Sequence, residues 1–121
     1  MSDLIKFPEN KTAEYLDTQA TIMAMMVENS ICEILPKIRL KDPIHDWIYN
    51  TVLKMRIAGV RVITPSVLLY HYQDFEKNKV FSTNDLSKRF LEIFEVPERR
   101  FFKRFNNLKK NYEQQIMKKW H

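Results

Sequence analysis

With 121 residues, of which 45% are hydrophobic and 29% charged, the chain is long enough for one domain with one core, and this composition excludes wholesale disorder. It contains one glycine and one cysteine, which argues against all-β and nucleotide-binding α/β folds and excludes an internal disulfide or a multi-cysteine zinc site. The net charge of +5 favours partners that carry phosphate or carboxylate groups. The sequence contains neither a run of eighteen apolar residues nor a signal-peptide pattern, so nothing in it points to a membrane.

Apolar periodicity divides the chain into an arm and a helical domain. Residues 1–11 lack this periodicity, so we expect a flexible N-terminal arm there, followed by a single helical domain over residues 12–121. From Thr12 onward, apolar residues recur at spacings of three and four, which predicts a long first helix that ends before Pro36.

Two pairs of a polar cap and a proline predict the next two helices. Asp42-Pro43 supplies an N-cap and a first-turn proline for a second helix over Ile44–Ala58, which Gly59 terminates. Thr64-Pro65 repeats this device before a third helix over residues 66–78.

The last two predicted helices carry the most regular pattern. The polar cluster at residues 82–85 begins a fourth helix that runs to Phe94, and Pro97 lies where the fifth begins. A narrow apolar stripe runs along the fifth helix and consists of Phe101, Phe105, Leu108, Tyr112 and Ile116. We therefore expect an all-α fold, a bundle of five helices.

Positive charge is concentrated in the same region. Residues 77–121 hold twelve Lys or Arg and five Asp or Glu, a balance of +7, whereas residues 1–76 hold eight and ten, a balance of −2. The candidate nucleic-acid-binding residues are Lys88, Arg89, Arg99, Arg100, Lys103, Arg104, Asn106, Asn107 and Lys110. Lys and Arg side chains bind phosphates, and Arg and Asn also contact base edges. If six phosphates are neutralised, binding is expected to fall with salt with a log–log slope of roughly −5.

A second interpretation of this surface stays open, because the charged face of an amphipathic helix is often solvated or faces another protein. Aromatic side chains that are candidates for a protein interface support it, namely Trp47, Tyr49, Tyr70, Tyr72 and Trp120. Association with a membrane is not expected, since the apolar stripe of the fifth helix is assigned to the core.

Catalysis, metal binding and cofactors are not expected either. His45, His71 and His121 lack a His or Cys partner at metal-ligand spacing, and the sequence contains neither a Walker motif nor a nucleophile elbow. Cys32 lies among apolar helix positions, which favours a buried, inert thiol.

The stretch over residues 44–112 resembles one cyclin-type repeat of the transcription factor IIB family. Thr64-Pro65 and Tyr70 stand where such repeats commonly have a cap before the third helix and a central tyrosine. Val96 matches the valine in the turn of the helix-turn-helix formed by the last two helices of these repeats. The apolar positions of the fifth helix also fit the family pattern.

This resemblance implies a cyclin-like bundle that ends in a helix-turn-helix-like pair able to enter the DNA major groove, with a second face that docks proteins. We therefore expect a non-enzymatic DNA-binding or transcription-associated domain, intracellular and nuclear, whose partners are duplex DNA and proteins of a larger assembly. The alternative is a cyclin-like structural or regulatory subunit of a multiprotein complex without direct DNA contact.

Overall fold

The structure is a computed structural model that describes residues 11–119. The predicted N-terminal arm, apart from Lys11, lies outside the described residues, as does Trp120. Within them the fold is all-helical with five α-helices, which confirms the predicted fold class. The helices are α1 (Ala13–Val27), α2 (Pro43–Ile57), α3 (Pro65–Phe75), α4 (Thr83–Phe94) and α5 (Glu98–Lys119), and a 3₁₀ helix, Ser30–Ile34, follows α1.

Polar caps begin the first four helices at or next to the predicted positions. The side chains of Thr12 and Thr64 each accept a hydrogen bond from a backbone N–H in the first turn behind them. Asp42 accepts two such bonds, and Ser82 forms a reciprocal capping box with Asp85. Each cap satisfies donors that an isolated helix end leaves free and contributes about 1 kcal/mol.

The first helix is shorter than its apolar pattern predicts, because α1 ends at Val27 rather than before Pro36. The Glu28 carboxylate accepts hydrogen bonds from the hydroxyl of Ser30 at 2.7 Å and from its backbone N–H at 3.3 Å. Such local side-chain bonds compete with the helical hydrogen-bonding pattern. The chain therefore breaks after α1 and continues as the short 3₁₀ helix.

Two other helix ends show how local chemistry decides a boundary. Gly59 follows α2 with φ +92, a left-handed conformation that glycine adopts without strain, and this confirms its predicted role as the terminating residue. The third helix ends at Phe75, three residues before its predicted end at position 78.

Two hydrophobic clusters lie on different sides of α1. The larger fills the space between α1 and α2–α4, and its fully buried members include Ile22, Met25, Ile48, Val52, Leu68, Leu86 and Ile93. The smaller joins α5 and the 3₁₀ helix to the other side of α1 and is centred on Ala24, Ile31 and Leu108. The helix α5 is therefore a separate layer that α1 supports.

The helices α1 and α5 run parallel. Arg100 near the start of α5 contacts Asp17 near the start of α1, and Lys109 contacts Glu28 just after α1 ends. Among the described residues α4 has at most marginal contact with α5, so a helix-turn-helix pair formed by α4 and α5 is not confirmed. The cyclin-like arrangement stays a prediction.

Candidate nucleic-acid interface

The helix α5 holds most of the positive charge of the C-terminal region. Its 22 residues include eight Lys or Arg and two Glu. Leu108 is buried, and Phe101, Phe105, Tyr112 and Ile116 are half-buried, as the predicted apolar stripe requires. Because this stripe packs on α1 and the 3₁₀ helix, the opposite face of α5 is held toward solvent.

Four exposed side chains form a straight row on that outward face, and we name them the α5 stripe: Arg99, Lys103, Asn106 and Lys110. Their spacing of four, three and four residues keeps them on one side of the helix over a rise of about 17 Å. Asn107 lies beside the row and is also exposed. None of these side chains has an ion-pair or hydrogen-bond partner among residues 11–119. Within residues 11–119 the stripe is therefore open to a ligand.

Two other predicted contact residues, Arg100 and Arg104, face α1 rather than the outward side of α5. Arg100 forms an ion pair with Asp17, with 2.8 Å between guanidinium nitrogen and carboxylate oxygen. Arg104 donates a hydrogen bond through Nε to the hydroxyl of Thr21 at 2.8 Å. Both guanidinium groups lie at the contact between α5 and α1, and Arg104 forms no ion pair within the described part of the chain.

The predicted residues on α4 are separated from this surface. Arg89 lies within 2.5 Å of the Asp42 carboxylate, and its side chain is only 15% exposed. Its guanidinium also lies over the ring of Tyr15. Arg89 is therefore engaged inside the bundle, in contrast to the predicted phosphate contact, whereas its neighbour Lys88 is exposed.

A basic cleft opens where α5 begins beside α1, with a volume of about 450 Å³. The basic cleft is lined by Arg99, Arg100, Lys103, Arg104 and Asn107 of α5, by Pro97 just before α5, and by Leu16 and Asp17 of α1. Four cationic side chains face one carboxylate, a local balance of +3. Since low-dielectric walls concentrate an electrostatic field, we expect this cleft to attract anions.

A polar cluster between α1 and α4 was not anticipated from the sequence. Glu92 accepts hydrogen bonds from the hydroxyl of Tyr15 and, at 2.7 Å, from the amide of Gln19. Burial and the bond to Glu92 raise the pKa of Tyr15 well above its ordinary value. The one sign of this cluster in the sequence was Gln19, a polar residue at an inward position of α1. Periodicity does not reveal that its partner is Glu92, 73 residues away.

The buried histidine of this region is His45, at 2% exposure, on α2. Burial lowers its pKa to about 4, with a further contribution from the charge of Arg89. Across the described part of the chain, no group of three His, Cys, Asp or Glu side chains is placed to hold a metal ion. Nor does any helix between residues 11 and 119 combine the length and apolar character needed to cross a membrane.

Comparisons with known proteins leave this surface unassigned. No family model, curated protein or solved structure matches the chain. The charge and geometry of α5 are therefore the basis for a functional assignment.

Proposed function

We propose that this chain is a non-enzymatic, transcription-associated domain that binds DNA through the phosphate backbone, with the α5 stripe as the contact surface. The observation that carries the proposal is the row of exposed side chains at Arg99, Lys103, Asn106 and Lys110, none of which has a partner among the described residues. Because the apolar side of α5 packs on α1, these side chains lie on the side of the helix that faces solvent.

The length and chemistry of the stripe match a nucleic-acid backbone. Each strand of duplex DNA carries one phosphate charge per about 3.4 Å of the axis, so a row about 17 Å long spans about five phosphates of one strand. Three cations on one straight row can therefore each find a phosphate. Asn106 and Asn107 add side chains that hydrogen-bond phosphates or adenine edges.

The structure reduces the number of cations available for this contact. Arg89 is engaged with Asp42, and Arg100 is paired with Asp17, so Arg99, Lys103 and Lys110 remain as the exposed cations of the row. Neutralising three phosphates predicts a log–log salt slope of roughly −3, shallower than the roughly −5 expected when six phosphates are contacted.

The test is fluorescence anisotropy with a random duplex over a series of salt concentrations. Arg99→Gln/Lys103→Gln/Lys110→Gln is compared with Lys37→Gln/Lys41→Gln/Lys77→Gln, which removes the same charge from exposed positions outside α5. The first variant is expected to lose nearly all of the salt dependence, while the second retains it. Equal losses of salt dependence in both variants would show that net charge alone explains the binding. A wild-type salt slope near zero would contradict the proposal.

A second function, a subunit that docks another protein, is favoured by one observation on α3. Tyr70 and Phe75 are 58% and 61% exposed, and their ring centroids lie 5.9 Å apart. Exposed aromatic pairs are typical of protein interfaces. Of the other predicted interface aromatics, Tyr49 and Tyr72 are buried instead.

The two functions are separated by one further variant. Tyr70→Ser/Phe75→Ser is expected to leave DNA affinity unchanged if the α5 stripe is the contact surface. Pull-downs that recover a partner with the wild type and with the α5 triple variant, but not with this double variant, would favour the docking function.

A further inference from the structure

We infer that the basic cleft binds the terminal phosphomonoester of a nucleic-acid strand whose phosphodiester backbone lies on the α5 stripe. The inference rests on the proposed function and adds to it a preference for strand ends that carry a phosphate. It assigns different ligand groups to two neighbouring surfaces of α5.

The two surfaces differ in shape and in charge density. The stripe offers three cations spread over about 17 Å, of which Arg99 and Lys103 also line the cleft, and this spacing suits phosphodiesters that carry one charge each. The cleft is concave, and four cationic side chains line its volume of about 450 Å³. A phosphomonoester carries a charge of about −1.5 to −2 at pH 7 and offers three strongly accepting oxygens, so it gains more than a diester in such a site.

The stripe and the cleft are continuous, because Arg99 and Lys103 belong to both. A backbone that follows the stripe toward the start of α5 therefore arrives in the cleft. There it meets Leu16 and Asp17 of α1, which line the cleft on the far side from α5. Because a terminal phosphomonoester carries more charge than an internal phosphodiester, a strand end gains more in the cleft than a strand that continues through it.

Arg100 is the group that responds to the phosphate. It is paired with Asp17 at 2.8 Å, and the side chains of the pair are 36% and 54% exposed, so solvent reaches both partners. A partly exposed ion pair of this kind is weak and exchanges partners readily. An entering dianion competes with Asp17 for the guanidinium, and Asp17 in turn opposes the anion.

The experiment measures the affinity of one oligonucleotide sequence with a 5′-phosphate, a 3′-phosphate or hydroxyl ends, using an internal fluorophore. The wild type is expected to bind one of the phosphorylated forms about tenfold more tightly than the hydroxyl form, a gain that corresponds to one charge-assisted hydrogen bond. The ratio of the two dissociation constants is the readout, since it cancels changes in backbone binding.

Three variants locate the effect. Asp17→Asn frees Arg100 and is expected to raise the ratio, whereas Arg100→Gln is expected to bring it close to one. Lys110→Gln serves as the matched control, because Lys110 lies on the stripe outside the cleft and should weaken both forms equally. Helicity by circular dichroism accompanies each variant, and the opposite directions of Asp17→Asn and Arg100→Gln distinguish a binding effect from damage to the α1–α5 contact.

The outcomes separate the inference from the proposed function. Salt-sensitive binding with equal affinity for phosphate and hydroxyl ends would overturn the inference alone, whereas negligible binding of every form would overturn the proposed function with it. A nucleoside monophosphate that competes as strongly as the phosphorylated strand would also overturn the assignment to a strand end, since it would need no backbone contact.

Discussion

Arg89 of α4 and the backbone at the start of α2 bind the same oxygen of Asp42. Asp42 Oδ1 accepts a hydrogen bond from the guanidinium of Arg89 at 2.5 Å and from the backbone N–H groups of Ile44 and His45 at 2.9 and 3.0 Å. Burial pushes the pKa of Asp42 upward, but the bonds from Arg89 and the His45 backbone outweigh it and hold the pKa below its ordinary value. One carboxylate therefore caps α2 and ties it to α4.

Removal of this contact is expected to destabilise the bundle. Arg89→Ala leaves the Asp42 carboxylate without its cation in a site where both side chains are mostly shielded, so the free energy of unfolding should fall by about 2 kcal/mol. Lys88→Ala, at the exposed neighbouring position, should change it by less than about 0.5 kcal/mol. Urea denaturation measures both. If Arg89→Ala leaves stability unchanged but weakens DNA binding, that result would support the phosphate contact predicted for Arg89 from the sequence.

The attachment of α5 to α1 depends on a small apolar cluster. Leu108 is 3% exposed and packs with Ala24 and Ile31, so Leu108→Ala should lower the free energy of unfolding by about 3 kcal/mol. Met117→Ala on the same helix removes a side chain that is 61% exposed and serves as the control. If the α5 stripe needs this support, Leu108→Ala also weakens DNA binding in the folded protein. Similar denaturation midpoints for the two variants would contradict the role of the cluster.

His45 makes stability depend on pH. Its pKa is about 4 in the folded chain against an ordinary 6.5, so the unfolded chain takes up a proton first as the pH falls. The corresponding stability is fully present above pH 6.5 and is lost toward pH 4, with a total of about 3 kcal/mol. The contribution of Asp42, whose pKa is lowered, disappears only at more acidic pH.

The measurement that checks this is urea denaturation at several values between pH 7 and pH 4.5. His45→Gln should flatten the dependence over this range, whatever its effect on stability at pH 7. A slope that persists in the variant would assign the proton uptake to other groups.

Cys32 should be chemically silent in the folded protein. The thiol is 4% exposed, and burial raises its pKa to about 11, so little reactive thiolate is present near neutral pH. Labelling with a thiol reagent at pH 8 should be at least about a hundredfold slower in buffer than in denaturant. Rapid, complete labelling of the native chain would show that the 3₁₀ helix opens readily.

The helix starts and the inward face of α5 were predictable because they depend on short-range chemistry. Asp42-Pro43 and Thr64-Pro65 cap the helices directly behind them, and the stripe from Phe101 to Ile116 follows from one period of 3.6 residues. The early end of α1 was missed, because the apolar pattern continues through the 3₁₀ helix while the Glu28 side chain breaks the helix locally.

The candidate site was predicted as a set of residues, but not as a geometry. All nine residues lie on α4 and α5, yet Arg89 contacts Asp42, 47 positions away in sequence, and Arg100 contacts Asp17, 83 positions away. No spacing within a helix reveals such pairs, because they form only when the helices pack. The basic cleft depends in the same way on α1.

By itself, the sequence determined the all-α class, the positions of the caps and the concentration of positive charge on α5, since each depends on composition or on neighbours within about one turn of helix. The tertiary structure alone decided which cations have a carboxylate partner among residues 11–119. It placed α5 parallel to α1, engaged Arg89 inside the bundle, and left Arg99, Lys103 and Lys110 on the outward face. The physical reason is that charge is a property of a residue, whereas its availability depends on the carboxylates that folding brings beside it.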